Sequence, residues 1–91
     1  MQWTQDEAIA YECARECITD MIGICSAEIA QEERKAKPNL SKLESFETKI
    51  TELARERTAL RLSNTAEVAR IRKEYGSFIR TYRALHHQQA A

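Results

Sequence analysis

Between Ile9 and Ile29 the apolar residues Ile9, Cys13, Cys17, Ile18, Met21, Ile22, Cys25 and Ile29 recur three and four positions apart. That spacing marks one face of an α-helix, and Ala10, Ala14 and Ile24 widen the stripe beyond a single neighbour's reach. Thr4 and Glu7 have capping-box spacing at its start, with Asp6 and Glu7 complementing the helix dipole. Trp3, just ahead of the cap, is placed to act as a hydrophobic staple toward Ala8. A first helix over residues 5–36, roughly 48 Å long, is predicted. Gly23 in its middle costs about 1 kcal/mol of propensity, and close approach of a facing helix is the preferred reason, a kink the rival.

Pro38 and Asn39 stop that helix, and Ser41 with Glu44 gives a second capping-box signal. Leu43, Phe46, Ile50, Leu53, Arg57 and Leu60 then form a heptad seam, predicting a helix over residues 42–61. A second seam, Val68, Ile71, Tyr75, Phe78, Tyr82 and Leu85, predicts a helix over residues 65–87. The stretch between them is ambiguous. Asn64 with Glu67 has cap spacing, which favours a break, yet neither glycine nor proline enforces one. The two seams are out of register by one residue, so a continuous helix needs a stutter.

The expected fold is all-α: a long antiparallel helical hairpin of two or three helices, with the uninterrupted second arm preferred. A two-helix hairpin cannot cover its own apolar faces, so a homodimer closing into a four-helix or coiled-coil-like bundle is expected. Core or dimer positions are assigned to Ile18, Ile22, Ile29, Phe46, Ile50, Leu53, Ile71, Tyr75, Phe78 and Tyr82.

Ninety-one residues suffice for one helical domain, read as 1–91, and two glycines with one proline argue against sheets and long loops. The net charge of zero conceals an asymmetry, −5 over residues 1–53 and +5 over residues 54–91. Complementarity within or between subunits is the simplest reading of it. Three cysteines in a helical pattern suggest unpaired thiols and a reducing compartment. The polar, acidic start resembles neither a secretory nor a mitochondrial leader, and Asp20 and Glu28 interrupt the best candidate for a membrane span. A cytoplasmic protein without membrane contact is expected.

Cys13 and Cys17 lie one helical turn apart, and His86 and His87 would return to them in a hairpin. Only half of a zinc-type ligand pattern is present, so neither metal nor cofactor is expected. The chain has no Glu-x-x-His pair, glycine-rich phosphate loop, zinc-protease motif or calcium loop. No enzymatic activity is expected. The leading expectation is a non-catalytic regulator or inhibitor that binds another protein through Trp3 and the acidic residues Glu12, Glu16, Asp20, Glu28 and Glu32. An alternative is nucleic-acid binding through Arg72, Lys73, Arg80 and Arg83, with Gly76 allowing close approach. A purely structural coiled-coil role is the third reading.

Overall fold

The computed structural model describes the backbone of residues 3–90 and the side chains of residues 3–87. Its first helix, α1 (Gln5–Glu33), starts where Thr4 is extended and its hydroxyl accepts the Glu7 N–H at 3.1 Å. The Thr4 N–H donates back to the Glu7 carboxylate at 2.7 Å, completing the capping box. The helix ends at Glu33, short of Ala36, because its last turn tightens: Arg34 and Lys35 donate their N–H groups to the Gln31 and Glu32 carbonyls. The second helix, α2 (Leu40–Ala59), is capped by Asn39, whose side chain accepts from the Lys42 N–H at 3.1 Å. Asn39 therefore takes the role expected of Ser41. Leu40, at the first position of α2, stays 76% exposed.

The uninterrupted second arm does not form. Leu60 leaves α2 in an extended conformation and buries its side chain, and α3 (Thr65–Ala90) begins after a short turn. Asn64 accepts the Glu67 N–H at 3.2 Å, so its side chain supplies the cap that makes a break tolerable. The break also absorbs the one-residue slip between the two seams, which a continuous helix would have to carry as strain.

The result is three packed helices running up, down and up, with α1 against both α2 and α3 and no direct backbone approach between α2 and α3. The Cα envelope measures 55 × 30 × 14 Å. A closed triangle of helices spaced 8–10 Å apart would be roughly 14 Å across in both short directions, so the extra width reflects splaying. Buried side chains run along α1 (Ala14, Ile18, Met21, Cys25) and cluster with Leu53 of α2, Leu60 just past its end, and Val68, Ile71 and Ile79 of α3. Both flanking helices approach α1 closely along their backbones, so α1 is the shared element of this core.

Gly23 is exposed, with nothing within 4 Å of where a Cβ would stand, so no helix of the chain approaches it. Nor is its φ positive. Gly23→Ala is therefore expected to stabilise the monomer fold by about 0.5–1 kcal/mol, measurable as a higher denaturation midpoint. A loss of stability would show that a second chain packs on this face.

Candidate functional site

The splay has an asymmetric consequence. At one end α2 and α3 are pinned together through side chains: Arg70 Nη2 lies 2.8 Å from Glu56 Oε2, and the Tyr75 hydroxyl donates to Glu56 Oε1 at 2.6 Å. Glu67 and Glu74 hold the same guanidinium from within α3, raising its proton affinity above the ordinary arginine range. Burial, then the Glu56 hydrogen bond, pushes the Tyr75 phenol up to about 12. This cluster closes the wedge between α2 and α3.

Toward the other end no described residue fills the wedge, and an open groove of about 750 Å³ remains. Its floor is the C-terminal half of α1: Met21, Ile24, Cys25 and Glu28. One wall is α3, contributing Phe78 and Tyr82; the opposite wall is α2 from Ser41 to Glu52, contributing Phe46 and otherwise only polar residues. The polar side arises because α2 turns its apolar seam toward α1, leaving Glu44, Thr48 and Glu52 at i, i+4 and i+8 on the groove side. The aromatic side has a different origin. The buried line of α3 steps through Val68, Ile71, Tyr75 and Ile79, so Phe78 falls beside it and stays 49% exposed.

At the groove's edge the Tyr82 hydroxyl donates to Glu28 Oε1 at 2.8 Å, and the Tyr82 ring stacks on His86 with centroids 3.8 Å apart. His86 Nδ1 lies 2.9 Å from the Tyr82 carbonyl, and Nε2 lies 3.7 Å from Glu28 Oε1. Burial, then the bond to Glu28, pushes the Tyr82 phenol up to about 12. Tyr82 therefore remains a proton donor at any ordinary pH.

The expected acidic binding row does not form one surface. Glu12 and Glu16 are exposed on the outer side of α1, whereas Asp20 is paired with Arg83 at 3.2 Å. Glu28 belongs to the groove, and Glu32 is buried at 3% exposure under the α1–α2 turn. The cause is geometric: steps of four residues drift around a straight helix rather than following one line. Trp3 is exposed at 40%, close to the Thr4 cap. Of the expected basic stripe, Arg72, Lys73 and Arg80 are exposed on α3, while Arg83 is turned to Asp20. Gly76 is buried with the Arg80 guanidinium 3.3 Å from its would-be Cβ, so Arg80 covers the space that close approach would need.

Among the expected core positions, Ile18, Leu53 and Ile71 are fully enclosed, and Ile22, Phe46, Ile50 and Tyr75 pack half-buried around them. Ile29 and Tyr82 are half-buried as well, while Phe78 belongs to the groove. No group of three or more His, Cys, Asp or Glu among the described residues is placed to hold a metal. Cys17 and Cys25 carry thiols pushed up chiefly by burial, away from the reactive thiolate. No described helix is long and apolar enough to cross a membrane. The chain matches no protein-family model, no curated protein and no solved structure.

Proposed function

We propose that the protein is a non-catalytic binding module, a regulator or inhibitor of the cytoplasm, that captures another protein in the groove between α2 and α3. The observation that carries this reading is Phe78, a large aromatic side chain left 49% exposed beside an unfilled apolar floor. Aromatic anchors next to a preformed pocket are where binding energy concentrates. The three-helix layer also lacks the fourth element that would complete a bundle, which a partner's helix supplies. The binding surface is a rigid helical one centred on the groove rather than on the outer acidic residues of α1.

A photo-crosslinking residue placed at Phe78, and separately at Arg55 on another face of α2, tests this in the protein's own cells. The expected result is a discrete heterologous adduct at position 78 and none at 55. Phe78→Asp should reduce recovery of that partner at least about tenfold, as loss of a central anchor does. An adduct of two copies of the chain would instead assign the groove to a homodimer. Adducts at 55 alone would move the binding surface off the groove. Nuclease treatment in parallel separates both from an RNA- or DNA-mediated association through Arg72, Lys73 and Arg80.

A further inference from the structure

The groove is two-sided in chemistry as well as in shape. Its floor and α3 wall are apolar apart from Glu28, and its α2 wall is polar apart from Phe46, so an occupant must itself be amphipathic. Met21 to Glu28 spans about two helical turns and Ser41 to Glu52 about three, which suits a helix presenting anchors at i, i+3 or i+4, and i+7. Among the charged residues lining the groove, Glu28, Glu44 and Glu52 face a single cation, Lys49. Glu44 and Glu52 make no ion pair among the described residues. At Glu28 both close contacts are made by Oε1, leaving Oε2 without a hydrogen-bond partner among the described residues. Glu32, Glu56 and Asp20, by contrast, already hold lysine or arginine.

Resting on the groove reading above, we infer that the occupant is a cationic amphipathic helix of a different protein. Its apolar side meets Phe78, Tyr82 and Met21, and its lysines or arginines meet Glu28, Glu44 and Glu52. A second copy of the chain fits less well. A two-fold axis through the groove would bring the same acidic residues of both copies together, and like charges across an interface select against pairing. The acidic lining also repels phosphate, so nucleic acid is not the ligand of this groove.

The test uses the full chain and two stapled helical peptides of about 15 residues that share one leucine and phenylalanine seam. They differ only in carrying lysine or glutamate at the flanking positions. By calorimetry at low salt the lysine peptide should bind at least about tenfold more tightly than the glutamate peptide, with the preference shrinking as salt rises. The triple variant Glu28→Gln, Glu44→Gln, Glu52→Gln should bring the two affinities together, and Phe78→Asp should weaken both. Equal binding of the two peptides to the native chain would overturn the charge selection while leaving the groove as a binding site. Tighter binding of the glutamate peptide, or no binding of either, would overturn the inference, with the adduct at position 78 then judging the groove reading separately. A dimer in sedimentation that Phe78→Asp dissociates would replace the foreign helix with a second copy.

Discussion

Ile18→Ala is expected to lower the free energy of unfolding by about 3 kcal/mol, out of a total of roughly 5–14 kcal/mol for a chain of this size. Ile18 is 0% exposed at the centre of α1 and belongs to the cluster that also holds Leu53 and Ile71. Because the backbones of α2 and α3 nowhere approach one another closely, a cavity at Ile18 cannot be closed by sliding one flanking helix onto the other. Both would have to follow α1 inward, and the pin at Glu56, Arg70 and Tyr75 resists that movement. Ile79→Ala removes the same atoms from a site where α3 packs on α1, and α3 can tilt there because the neighbouring groove is open. Its cost is expected near the lower end of the range for such truncations, about 2 kcal/mol. Urea denaturation followed by far-UV circular dichroism measures both. Equal losses, or the reverse order, would show that α1 is not the element through which the fold coheres.

The helix α1 and its start were legible in the sequence because capping and apolar periodicity are local signals. So was the cap at Asn64, although the choice between a break and a continuous arm was resolved the wrong way. The absence of glycine and proline permits a continuous arm, but the slipped register and the Asn64 cap decide for the break. The second seam failed at one step. Both Phe78 and Ile79 are apolar; a heptad rule selects Phe78, whereas a straight helix following its own period of 3.6 buries Ile79.

That single alternative hid the groove, since the heptad rule places its exposed aromatic wall residue, Phe78, in the core. The charge asymmetry was equally deceptive. Arg83 crosses to Asp20 in the acidic half, but Arg70 spends its guanidinium on Glu56, Glu67 and Glu74, all within the basic half. Net charge by segment says nothing about which neighbours a side chain can reach.

Glu32 supplies the second large effect, and its sign is fixed by geometry. The carboxylate accepts the Asn39 N–H at 3.0 Å, Lys35 Nζ at 2.9 Å, and lies 3.5 Å from Lys42 Nζ, so it joins the end of α1 to the cap of α2. The Asn39 N–H, and after it Lys35, holds the carboxyl down at about 2, against 4.5 for the free group. A depressed folded-state value means that the unfolded chain binds the proton first. The stabilisation is therefore complete above about pH 4.5 and is lost as pH falls toward 2. Glu32→Gln keeps an oxygen for the Asn39 N–H but no charge for the lysines, so its melting temperature should lie several degrees below the native protein's near neutrality. The gap should narrow steadily through the acid range and close near pH 2, where the native side chain is itself half protonated. Glu67, held low by Arg70, titrates with the same sign, but it is common to both proteins and cancels in their difference. A gap that stays constant with pH would assign the cost of the substitution to lost packing at the turn, and would remove the buried charge from the account of how α1 and α2 are joined.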